Sequence, residues 1–118
     1  MEYLAFFTCF NEGRFFEAHE VLEELWLEVR HDADGNFYKG LIQFAAAFVH
    51  WQEGRTGPAA SLLRTAGGHL ARYPERHHGL DVARVRRLAA EWVEALATAA
   101  SLNRPLPCEQ PRMEFDLS

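Results

Sequence analysis

Two histidines, two glutamates and one glutamine carry the chemistry this chain is equipped for. His19 and Glu23 stand at i, i+4, and Trp26 and Arg30 continue the same stripe of a helix at i+7 and i+11. An imidazole and a carboxylate one turn apart can share a divalent cation or hydrogen bond to each other. Gln43 and His50 are seven residues apart, two turns along one side of a later helix. Two histidines and a carboxylate with open coordination positions suit a divalent metal such as zinc, iron or manganese. In that reading His19, Glu23 and His50 are the ligands. Gln43 orients substrate or water, and Glu20 is the spare carboxylate that could act as base in a hydrolysis.

The same residues have a structural reading. Histidines on helix faces commonly satisfy their ring nitrogens with a carboxylate or carbonyl, and a His19, Glu23, Gln43, His50 network would fix helix register without catalysis. His19-Glu20 opens like the zincin motif H-E-x-x-H, but the position of the second histidine is Glu23. A helical wheel also turns Glu20 outward, with Glu17, Glu24 and Glu28. His77-His78 falls in a turn and reads as exposed loop able to bind metals opportunistically. There is no glycine-rich phosphate loop, no G-x-S-x-G, and no cysteine paired with a nearby histidine.

These residues need helices to hold them, and a period of 3.6 recurs in about five segments. The first runs from about Glu2 to Phe10 and breaks at Asn11-Glu12-Gly13. The second spans roughly Arg14 to Arg30, with Phe15, Ala18, Leu22, Leu25, Trp26 and Val29 on one apolar arc, His19 just inside its border and Glu23 at its edge. A loop over His31 to Asn36 follows.

The third helix, Phe37 to about Glu53, is apolar on nearly all sides except at Gln43 and His50, which marks the central helix of a bundle. Gly40 and Ala47 on its flank would let another helix approach closely. Pro58 suits the first turn of a fourth helix that stops at Pro74 and carries Gly67-Gly68 at a cost of about 1 kcal/mol per glycine. Asp81 can cap a fifth, Val82 to about Leu102, and no strand pattern is visible. Pro105, Pro107 and Pro111 forbid further helix. The reading is therefore all-α: a compact bundle of about five helices as a single domain over residues 1–102, then an extended proline-rich tail over residues 103–118.

A chain of 118 residues that is 48% hydrophobic can bury a core without disulfides. Cys9 and Cys108 lie far apart without metal-ligand spacing, and Cys9 reads as a small buried hydrophobe in a reducing compartment. A net charge of -5 and a pI near 5.6 argue against nucleic-acid binding through a broad basic surface. The most apolar run, Gly40 to Trp51, is too short for a bilayer, so the expectation is a cytoplasmic protein with a small-molecule or protein partner.

Phe10-Asn11, the run from Phe15 to Trp26 (H-E-x-L-E-x-x-W from His19) and the run from Gly40 to Ala46 (G-L-I-Q-x-A), with His50, resemble a family of small helical proteins of bacteria and archaea, domain of unknown function 309. The resemblance covers roughly residues 6–73. It implies a multi-helical fold around the two motif helices, with His19, Glu20, Glu23, Gln43 and His50 as characteristic polar positions. Proteins of this kind often carry the label of predicted metal-dependent hydrolase. The competing function is a non-catalytic helical interaction module, since Gly13 to Ala18 and Pro58 to Leu63 faintly resemble helical repeats. Ala18 and Ala60, however, are 42 residues apart rather than the about 34 of a tetratricopeptide array. An open pocket beside Trp26 would favour the enzyme; a polar cluster sealed from water would favour the module.

Overall fold

A Gly13 held at φ 81° is the first hinge of the chain, ending one helix so that the next can fold back on it. The computed structural model describes residues 2–102. They form α1 (Glu2–Asn11), α2 (Phe15–Val29), α3 (Gly35–Gln52), α4 (Thr56–Leu70), β1 (Arg76–His77), β2 (Leu80–Asp81) and α5 (Val82–Leu102). Successive helices pack on one another, α1 on α2, α2 on α3, α3 on α4 and α4 on α5. The all-α bundle of five helices is as the sequence indicates, and α3, flanked by α2 and α4, is its central element.

The core is built on aromatics. Phe6, Phe10, Phe15, Phe37, Phe44 and Phe48 are all at most 1% exposed, and each such burial is worth roughly 1.5–3 kcal/mol. Phe10 of α1 meets Phe44 and Phe48 of α3 at ring centroid separations of 5.5 and 5.8 Å. Trp92 of α5 closes on Phe48 and Trp51 edge-on, both at 5.0 Å. Cys9 is buried in this core, as expected.

Two glycines permit the close approaches. A Cβ on Gly35 would lie 2.3 Å from the carbonyl oxygen of Arg30, so no side chain fits where α3 begins beside the end of α2. A Cβ on Gly40 would lie 3.0 Å from Leu70 Cγ, which identifies α4 as the helix admitted by that flank.

The structure departs from the sequence reading in the segment before α5. Arg76 and His77 pair antiparallel with Asp81 and Leu80, a hairpin of two residues per strand that periodicity cannot reveal at that length. Asp81 then caps α5, its Oδ1 accepting the Arg84 N–H at 3.0 Å. α4 carries Pro58 in its first turn, as the sequence indicates, but ends before Pro74, at Leu70. Among the described residues no helix is long and apolar enough to cross a membrane. The expected tail, with Cys108, lies outside the described residues.

Candidate functional site

The seam between α2 and α3 holds the motif residues, and aromatic contacts set its register. Phe15 lies against Phe48 and Trp51, at 5.4 and 6.4 Å. Near the other end Lys39 Nζ sits 4.4 Å from the Trp26 ring centroid. Antiparallel helices with those contacts place His19 opposite residues 44–47, between Gln43 on one side and His50 on the other.

Within the seam the polar groups are unevenly served. His19 Nε2 faces Glu23 Oε2 at 3.4 Å, with the two side chains 27% and 46% exposed. In the neutral tautomer that turns its N–H toward Glu23, Nδ1 is an acceptor. That Nδ1 is buried and has no partner, and neither has the buried Oε1 of Gln43. His50 is engaged elsewhere: its Nδ1 accepts a hydrogen bond from Arg55 Nε at 2.9 Å. Glu20 is exposed, as the wheel requires. Among the described residues, His19, Glu23 and His50 do not bring three ligand atoms within 4.8 Å of one another.

A second cluster does. Asp34, the residue before α3, accepts His77 Nε2 on Oδ1 at 2.8 Å and His78 Nε2 on Oδ2 at 2.7 Å. Adjacent residues of a strand point to opposite faces, so two neighbouring histidines meeting one carboxylate need an unusual backbone. His78 supplies it with φ 49° and Gly79 follows at φ 76°, the left-handed pair of a two-residue hairpin turn. A side chain in that conformation costs about 1–2 kcal/mol. The turn is held by Tyr3, whose hydroxyl donates to the His78 carbonyl at 2.9 Å. Phe37 meets both imidazoles in T-shaped contacts, with ring centroids at 4.8 and 5.5 Å.

The charges follow from this packing. Burial acts to raise the Asp34 pKa, but the hydrogen bonds from His78 and His77 outweigh it and leave the carboxyl below its usual value. Burial raises the hydroxyls of Tyr3 and Tyr38, and the Asp34 charge adds to both. His69 is lowered by burial, with Arg72 and Lys39 contributing.

Asp34 makes no capping bond to α3, its carboxylate being occupied. Tyr73 substitutes, its hydroxyl accepting the Phe37 N–H at 2.9 Å and donating to the Ala33 carbonyl at 2.7 Å. From the sequence His77 and His78 fall in an exposed loop and Asp34 has no role; the structure joins all three. The one available signal was His78-Gly79 between two short extended pairs. An open groove between α4 and α5, with Arg64, Arg86 and Arg87 above Leu63, Ala89 and Val93, is lined neither by Trp26 nor by either cluster.

The model of the family described as Domain of unknown function (DUF309) matches residues 3–62, which include the α2/α3 seam and Asp34 but not His77 or His78. An uncharacterized protein of Aquifex aeolicus (strain VF5) is 31% identical over 97 residues, 82% of this chain and 28% of its own length. The uncharacterized protein YpuF of Bacillus subtilis (strain 168) is 28% identical over 120 residues, 95% of this chain and 67% of its own length. The chain thus spans under a third of the first relative and two thirds of the second. No solved structure matches.

Proposed function

Since this chain belongs to the DUF309 family, we propose that its motif helices form a binding site for a small ligand bearing N–H or O–H donors, received by His19 Nδ1 and Gln43 Oε1. The observation that carries this reading is the pair of buried acceptors without partners on facing helices. An unmet buried polar atom costs roughly 1–3 kcal/mol, a penalty that a bound donor removes. The exposure of His19 and Glu23 leaves the seam edge reachable from solvent. Glu23 is then the partner that orients the His19 ring, rather than a ligand-facing group.

A hydrolytic metal centre on His19, Glu23 and His50, with Glu20 and Gln43 acting on water, asks more of the seam. His50 would have to leave Arg55, and a third donor would have to move in. A register-fixing network asks for satisfied partners, which His19 Nδ1 and Gln43 Oε1 do not have. Ligand binding needs neither change.

The test is a ligand-observed NMR screen of amine-, amide- and hydroxyl-bearing fragments against the wild type, His19→Ala and Gln43→Met. The reading expects fragments that bind the wild type and are lost in both variants. Fragments that bind all three proteins equally, or none at all, would overturn it. Stoichiometric zinc, iron or manganese lost in both His19→Ala and His50→Ala would instead establish the hydrolase-type metal site.

A further inference from the structure

We propose that Asp34, His77 and His78 form a binding site for one first-row divalent transition-metal ion, independent of the α2/α3 seam. The donor set is two imidazoles and one carboxylate, which leaves further coordination positions to solvent and suits zinc, iron(II), cobalt(II) or nickel(II). Three ligand atoms, one from each residue, already lie within 4.8 Å of one another. Both Nε2 atoms are within 2.8 Å of a carboxylate oxygen of Asp34. Ligands about 2.1 Å from an ion and cis to each other stand about 3 Å apart, so the three donors, now within 4.8 Å of one another, would draw in around the ion by side-chain rotation. The metal takes the place of the protons now shared between the imidazoles and the carboxylate.

The surroundings hold the donors in place. The left-handed turn aims His78 to the same side as His77, and the Tyr3 hydroxyl fixes that turn through the His78 carbonyl. The Tyr38 ring lies parallel to His78, 4° from coplanar with centroids 6.3 Å apart. Tyr73 packs on His77 at 5.1 Å. His78 is 41% exposed, which gives the ion a way in. The ligands come from the α2–α3 loop and from the hairpin ahead of α5, so the ion would tie two segments 43 residues apart. The family match ends at residue 62, so the histidine pair lies outside the matched region.

The test uses the whole chain, purified without a polyhistidine tag and stripped with a chelator. It is titrated with cobalt(II), followed by visible absorption, and then with zinc(II) in competition. One ion per chain is expected, with affinity at least tenfold weaker in Asp34→Asn, in His77→Asn and in His78→Asn. His78→Asn separates ligand loss from misfolding, because asparagine accepts the left-handed conformation. Its metal-free form should still unfold cooperatively in urea, with a midpoint lowered by no more than the lost hydrogen bond to Asp34 accounts for. His19→Ala and Gln43→Met should bind cobalt as the wild type does, so failure of the seam reading leaves this one standing. Undiminished cobalt affinity in His78→Asn, or loss of the ion in His19→Ala, would overturn the proposal, as would no saturable binding at micromolar cobalt.

Discussion

Replacing Gln43 by methionine should make the protein more stable while abolishing the proposed ligand site. The two side chains are close in size and have similar helix propensity, so neither the backbone of α3 nor its packing volume changes much. What the substitution removes is a buried amide oxygen without a partner. Such an atom costs about 1–3 kcal/mol. The gain should lie near the low end, about 1 kcal/mol, because Gln43 as a whole is only half-buried. For a domain of this size that is a rise in Tm of about 3–6 °C. Urea unfolding followed by far-UV circular dichroism reads it as an increase in midpoint at unchanged slope. A fall of more than about 0.5 kcal/mol would mean that the amide oxygen is satisfied in solution. The seam would then be the register-fixing network of the competing reading.

Three glycines inside helices should respond oppositely to alanine. Gly67→Ala and Gly68→Ala should each stabilise by about 1 kcal/mol, the helix-propensity difference, since nothing lies within 4 Å of the added carbon. Gly40→Ala should lose about 1 kcal/mol net, because overpacking costs of about 1–3 kcal/mol arise where the new carbon meets Leu70 Cγ at 3.0 Å and His69 Cβ at 3.2 Å; urea midpoints that rank Gly40→Ala with the other two would disprove the close approach. Tyr73→Phe should cost about 1–2 kcal/mol and selectively raise hydrogen exchange at the Phe37 amide, which loses its acceptor. The lowered pKa of Asp34 means that the unfolded chain binds its proton first as pH falls. The contribution is therefore complete above the unfolded carboxyl value of 3.8 and is lost as pH drops through the folded value. Acid unfolding of Asp34→Asn should lack that component, and an unchanged acid limb would show that the carboxylate gains nothing from its histidines.

The outer helices were legible because each buries one stripe, and the central one because it is apolar on nearly all sides; both patterns survive any later packing. Gly13, Asp81 and Gly40 could be read too, since a left-handed break, a cap and a close approach each demand a particular residue type. The hairpin could not. Two residues per strand give no alternation to detect, and its turn uses histidine where asparagine or glycine is the usual signal. The seam was half legible: the wheel puts His19 and Gln43 on facing sides, but only the structure shows that Arg55 has claimed His50. Asp34 was hidden for another reason. Its partners are more than forty positions away, and a DADG loop by itself reads as nothing more than a turn.

The two clusters differ in a way that energetics can expose without knowing any ligand. At Asp34 each carboxylate oxygen already has an imidazole, so the metal-free cluster stabilises the fold and its removal should weaken it. At the seam the acceptors are unmet, so the metal-free, ligand-free protein bears their cost and their removal should strengthen it. Groups that lower stability when empty are the mark of a site kept for binding. Asp34→Asn and Gln43→Met should therefore shift the urea midpoint in opposite directions, and the two clusters are too far apart along α3 for the effects to couple: nine residues of helix is about 13 Å. The double variant should show the sum of the two shifts. A non-additive result would mean that the loop before α3 and the seam beside Gln43 act as one site.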